Sequence, residues 1–221
     1  MMVMMMIIII IIDDLSRAIE RVTLLQVHDA LVILKNSLAI PKLLYLLRTS
    51  DCGDNPLLSE FDNTLRSGLT SILNVDLSEN QWIQASLPVG DGSLGIRSAQ
   101  MLAPSAFLAS AASTFQLQQS ILPDSISSLE DGSLESIKAL WAGQSNSAKP
   151  AADVQHITYR RPEIDRLLQT IEHSFWQEPL VMWTTRLLAA SSHSGDWLHA
   201  PPITAVGLRL SVEAIRMAVA H

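Results

Sequence analysis

From Leu15 onward, apolar residues recur at helical spacing. Leu15, Ala18, Ile19, Val22, Leu25 and Gln26 trace one face, with Arg17, Glu20 and Arg21 opposite. The face continues through Ala30, Leu31, Ile33 and Leu34. Pro41 lacks the amide hydrogen that a continuous helix needs, which predicts a kink or restart near Ala39. Leu43, Leu44, Leu46 and Leu47 then make the next turns apolar nearly all round, the pattern of a buried helix. The run DCGDNP (51–56) reads as a loop. Ser59 followed by Asp62 predicts an N-cap, and Phe61, Leu65, Leu69, Ile72 and Leu73 predict an amphipathic helix with Gly68 as its soft point. Ser78 is placed to cap a further helix bearing Trp82, Ile83 and Ala85, closed by Leu87-Pro88.

The stretch 87–112, LPVGDGSLGIRSAQMLAPSAFLASAA, organises the remainder. Gly90, Gly92 and Gly95 mark a structural turn, and a turn that needs a positive φ favours glycine. Beyond Arg97, the positions Ala99, Leu102, Ala103, Ala106, Phe107 and Ser110 predict a helix face of small residues on which other helices pack closely, running on to Ile121. Pro104 is expected near the start of that helix or at a kink. Ser133 opens a short helix with Leu134, Ile137, Leu140 and Trp141, and Ser211 caps a last one with Ala214, Ile215, Ala218 and Val219. With no strand alternation and no internal repeat, the fold class is mainly α. The predicted architecture is a helical bundle with irregular Gly/Pro-rich connections and a smaller C-terminal helical region. Its divisions are an apolar start (1–14), a helical domain (15–142), a linker (143–162) and a C-terminal helical region (163–221).

Composition narrows the function classes. Apolar residues make up 48% and charged residues 17%, so a core is affordable and some apolar surface is left for a partner or for self-association. The net charge of −7 argues against a high-affinity nucleic-acid binder, although a local basic patch is compatible with it. One cysteine, Cys52, rules out an internal disulfide and a multi-cysteine zinc site, and an intracellular setting is expected. The start, MMVMMMIIIIII, is too short for the ~20 residues of a membrane span and lacks the basic flank of a signal peptide. No membrane association is expected.

Candidate chemistry is sparse. Asp13-Asp14 is a tandem acid pair of the kind that holds divalent metal, but the favoured reading is that two acids simply end an apolar run and open a helix. His193, Asp196 and His199 match no four-ligand zinc set, and Ser194-Gly195-Asp196 reads as a turn anchored by Trp197 and Leu198. Neither a phosphate-cradling loop nor an HExxH or CxxC motif occurs, so no catalytic residue, metal or cofactor is expected. Lys42, Arg48, Arg66 and Arg97 are the candidate contacts for a phosphate backbone.

Three stretches, taken in order, resemble the C-terminal part of reverse transcriptases from non-LTR retrotransposons. They are LAIPKLLYLLRTS (38–50), the span from Phe61 to Ala112, and HSGDWLHAPPITAVGLRLSVEAIRMAVA (193–220). The resemblance implies the thumb and post-thumb region of an RNA-directed DNA polymerase, a helical bundle lying beside the primer–template duplex. Fingers and palm, with their catalytic carboxylates, have no counterpart in these 221 residues. Ile11-Ile12-Asp13-Asp14 carries Ile where the family's metal motif has an aromatic. The expected role is therefore non-catalytic: support of an RNA–DNA duplex or retrotransposon RNA. The alternative is a domesticated or decayed remnant acting as a helical protein-interaction module or with no selected function. Ser93 stands where the family has a second adjacent glycine, which predicts a weakened turn.

Overall fold

The computed structural model describes residues 2–87, 89, 93–121, 132–145, 196–198, 202–203, 205 and 209–215. It is mainly α, with no strand among the described residues. Among the described residues seven α-helices are bounded, in order: α1 (Met2–Val22), α2 (Val27–Ile33), α3 (Ile40–Thr49), α4 (Pro56–Leu73), α5 (Glu79–Ser86), α6 (Ala99–Ile121) and α7 (Gly132–Ser145). The predicted linker begins as the end of α7, and of the C-terminal helical region predicted over 163–221 only 196–198, 202–203, 205 and 209–215 are among the described residues.

The apolar start is the first half of α1, so the helix begins well before Leu15 and carries Asp13 and Asp14 in mid-course rather than at its opening. Ile8, Ile12, Leu15, Ile19 and Val22 form its buried stripe, at spacings of four, three, four and three. The helix ends at Val22 instead of running on. The Thr23 hydroxyl turns back to the Glu20 carbonyl at 2.9 Å, and Leu25 and Gln26, expected to extend the face, are exposed. This break lets α1 and α2 each pack on α4.

The predicted restart near Ala39 is present. Residues Leu34–Leu38 form a π-turn in which the Ala39 amide donates to the Leu34 carbonyl at 2.8 Å, and α3 resumes with Pro41 in its first turn. The run Val27–Thr49 has the length and apolarity of a membrane span, yet half of its most apolar window is buried in the bundle. Leu31, Leu34, Leu43 and Leu47, each at most 2% exposed, face the shared core.

Helix α4 sits at the centre, packed on α1, α2 and α6. Its cap is Asn55, whose side chain accepts from the Leu57 amide at 3.0 Å, with Pro56 as the first helical residue. Ser59 lies inside the helix, which corrects the predicted start. Asn55-Pro56 is the stronger start signal because Pro56 has no amide to strand and its φ is already helical. Asn74, at φ 52°, ends α4 in the left-handed region. Gly68 permits close contact with α1: a Cβ there would come within 2.7 Å of Ile19 Cδ1.

Helix α5 is capped as predicted. Ser78 Oγ accepts from the Gln81 amide and the Gln81 side chain accepts from the Ser78 amide, a reciprocal capping box. Along α6, Ala99, Ala103, Ser105 and Leu108 are buried, and Pro104 lies inside the helix. Helix α6 packs on α3, α4 and α7, the last through Leu108, Ile137 and Trp141. The described C-terminal pieces join the main core, because Leu198 and Ile215 belong to the same apolar cluster as α1–α6. The predicted Ser211 cap is present, its Oγ accepting from the Ala214 amide at 3.2 Å.

Candidate nucleic-acid interface

Helix α3 presents one continuous outward face. Leu43, Leu46 and Leu47 turn inward, which leaves exposed Tyr45 and Arg48, with half-buried Lys42 beside them, on the outer side. Tyr45 is 79% exposed, an unusual position for a large aromatic, and the two cations flank it. Among the described residues, neither Lys42 nor Arg48 has a carboxylate partner.

Of the four cations expected to act together, Lys42 and Arg48 share this face. Half-buried Arg97 immediately precedes Ser98 and the start of α6, which packs on α3, and it has no carboxylate partner among the described residues. Arg66 is committed elsewhere. Its Nη1 meets Glu79 Oε2 at 2.6 Å and its Nη2 donates to the Leu77 carbonyl at 2.8 Å, tying α4 to the entry of α5. Tyr45 was missed in the sequence, although its position three residues after Lys42 is the spacing of helix-surface neighbours.

The glycine turn has a clear structural role. Gly90 and Gly92 lie outside the described residues, whereas Gly95 has φ +73°, a conformation that a side chain would strain. The Gly95 amide donates to the Leu87 carbonyl at 3.0 Å, and the Ile96 amide to Ala85 at 3.2 Å, so the chain folds back on the end of α5. Ser93 is 8% exposed and its hydroxyl donates to the Gln84 carbonyl. The serine thus satisfies a carbonyl at the helix end, contrary to the expected weakening. Lys35 Nζ faces this turn: a Cβ on Gly95 would lie 3.2 Å from Lys35 Cε and 3.6 Å from Nζ. The amine is enclosed without a hydrogen-bond partner, and burial pushes its pKa down.

Behind the turn lies a buried carboxylate with no local sequence signature. Asp62, on α4, is 6% exposed and accepts from Ser98 Oγ at 2.5 Å, the Ala99 amide at 2.7 Å and the Gln100 amide at 3.2 Å. Ser98 Oγ in turn accepts from the Met101 amide at 3.2 Å. The N-terminus of α6 is therefore capped jointly by its own serine and by an aspartate from another helix. Burial raises the Asp62 pKa, and the three hydrogen bonds act against that rise.

The other candidate groups take separate places in the fold. Asp13 and Asp14 both pair with Arg17, at 2.9 and 2.7 Å, on the surface of α1. Among the described residues no three His, Cys, Asp or Glu side chains come together as a metal-holding group. Of the HSGDWLH segment, Asp196–Leu198 form a 3-10 turn with Leu198 buried, while His193 and His199 lie outside the described residues. The chemistry available on the α3 face is electrostatic contact and aromatic stacking. No family model matches the chain, and neither does any curated protein or solved structure.

Proposed function

We propose that the chain is a non-catalytic, thumb-like helical module that supports an RNA–DNA duplex along its sugar–phosphate backbone. The observation that carries this reading is the α3 face, where exposed Tyr45 lies between Lys42 and Arg48 and no acid neutralises either cation among the described residues. From Lys42 to Arg48 the helix rises about 9 Å, enough to meet two or three phosphates of one strand. Contacts of this kind give affinity without sequence choice. The net charge of −7 keeps binding weak and sensitive to salt. Intracellular location and the absence of polymerase activity belong to the same reading.

A titration of labelled RNA–DNA duplex at several salt concentrations tests it. Affinity should fall with salt, and each of Lys42→Ala and Arg48→Ala should reduce the log–log slope by about 0.9. Tyr45→Ala should weaken binding with little change of slope. Absence of salt-dependent binding, or unchanged binding by the double Lys42→Ala, Arg48→Ala variant, sinks the proposal. A second reading, a remnant acting as a protein-interaction module, is favoured by the apolar outer face of α1, where Val3, Met6 and Ile10 are exposed.

A further inference from the structure

Two adjacent residues of α2, His28 and Asp29, hold a segment from the far end of the chain. The Leu210 amide donates to His28 Nδ1 at 3.2 Å, a contact between residues 182 positions apart. Arg209 Nη2 meets both oxygens of the Asp29 carboxylate, at 2.8 and 3.0 Å. Beyond this pair Leu210 and Val212 pack on the main core, and Ile215 is 0% exposed within it. His28 itself is 1% exposed, so the docked segment and the bundle enclose the ring. A ring nitrogen that accepts a hydrogen bond carries no proton, and the docked ring is therefore the neutral imidazole protonated at Nε2.

We propose that this contact is an acid-released latch, in which a proton on His28 Nδ1 and the docked segment 209–215 exclude each other. Protonation turns the acceptor into a second donor, and N–H then opposes the Leu210 N–H. At 1% exposure the ring has no surface through which water could hydrate the new charge in place. Release of the segment exposes the ring, and a freely hydrated imidazole takes up its proton near pH ~6.5. The neighbouring ion pair acts in the same direction. Arg209 leaves with the segment, and Asp29, stripped of its cation, then favours the imidazolium. Charged groups on the elements packed against α2 are held elsewhere. Lys35 of the π-turn faces Gly95, Asp62 of α4 caps α6, and Arg66 of α4 pairs with Glu79. Glu60 of α4 and Glu213 of the segment are exposed. Because the open state binds the proton, docking is full at neutral and alkaline pH. It weakens as pH falls, the open fraction rising about tenfold for each unit below about 6.5.

Hydrogen exchange of the full chain, read by mass spectrometry between about pH 7.5 and 5 and corrected for intrinsic rates, measures the opening. Protection of 209–215 should fall about tenfold per unit below about pH 6.5, while protection of α1 and α4 holds. His28→Asn keeps an acceptor oxygen close to the place of Nδ1 but takes up no proton, so its segment should stay docked throughout. Arg209→Ala should loosen the segment at every pH with the pH dependence still present. Nitrogen-15 resonances of the wild-type ring give a test that needs no variant. Nδ1 should be bare at neutral pH and should gain its proton together with the loss of segment protection. A ring protonated on Nδ1 at neutral pH overturns the proposal, as does segment protection that ignores pH. A pH dependence that survives His28→Asn, or an equal acid loss in α1 and α4, overturns it as well. None of these outcomes depends on duplex binding by α3, so the two proposals stand or fall separately.

Discussion

Asp62 holds the start of α6 on α4, and its removal has a calculable consequence. Asp62→Ala deprives three donors of their acceptor: Ser98 Oγ, the Ala99 amide and the Gln100 amide. They are not equally affected. Gln100 is exposed and its amide can rehydrate, whereas Ala99 is 0% exposed and its amide is stranded. Stranding one buried donor costs about 1–3 kcal/mol, and weakening the cap adds about 1 kcal/mol. Opposing this, the substitution relieves the desolvation of a buried carboxylate, the same cause that raises its pKa. The net expectation at neutral pH is a loss of about 2–3 kcal/mol for alanine and about 1–2 kcal/mol for asparagine, which keeps one acceptor oxygen. The pH dependence is the sharper test. A raised pKa means that the folded chain holds this proton more tightly than the unfolded chain, so acid favours the folded state. The advantage of the wild type over Asp62→Asn should be full below the ordinary value of 3.8 and should shrink as pH rises through the raised value. Urea unfolding of both proteins, followed by helical circular dichroism between about pH 3 and 8, measures the gap directly. A gap that widens with pH, or an alanine variant as stable as the wild type, would refute the reasoning.

Three further outcomes are expected. Gly68→Ala gains about 1 kcal/mol of helix propensity but places its methyl 2.7 Å from Ile19 Cδ1, and the overpacking should leave a net loss of about 1 kcal/mol. Ile19→Val removes that methyl, so unfolding of the double variant should show a favourable coupling, and strict additivity would exclude the clash. Ser93→Gly, which restores the glycine suggested by the retrotransposon resemblance, should destabilise by about 0.5–1 kcal/mol in thermal melts because the Gln84 carbonyl loses one of its two donors and keeps only the Leu87 amide. The Cys52 thiol, 3% exposed and with its pKa pushed up to about 11 by burial and by Asp51, should resist a thiol-reactive disulfide reagent at neutral pH and react fully in urea.

Local signals were legible where a residue acts on its own neighbours. Pro41 stops the incoming helix through a missing amide, and Ser78 with Gln81 closes a box within one turn. Asp62 shows the opposite case. In the sequence it stands three residues after Ser59 and looks like part of a local cap, but its partners are 36 to 38 residues away. Nothing in the local pattern distinguishes an acid that caps its own helix from one that caps another. Arg66 illustrates the same limit for the candidate interface: its ion pair with Glu79 spans 13 residues, and no local pattern announces it. The apolar outer face of α1 was hidden for a different reason. A run of methionine and isoleucine is apolar all round, so periodicity cannot tell which side the core will cover.

These long-range ties also explain why the α3 face is a fixed platform. Helix α3 rests mainly on α6, and α6 begins at the joint cap formed by Ser98 and Asp62 of α4. The turn through Ser93 and Gly95 bonds back to the end of α5, while Arg66 fastens the entry of α5 to α4. These described links to the start of α6 return to α4, whose inner side chains Phe61, Leu65 and Leu69 are fully buried. Lys42, Tyr45 and Arg48 gain their common direction from this arrangement rather than from contacts with one another. Backbone contacts to a duplex require such fixed spacing, because each cation meets a phosphate set by the geometry of the nucleic acid. Loops would lose that spacing to conformational freedom, whereas a helix held at its restart and along its length keeps it. On the proposed reading, the buried polar links of this fold, Asp62 above all, serve the duplex-facing side of α3 at a distance.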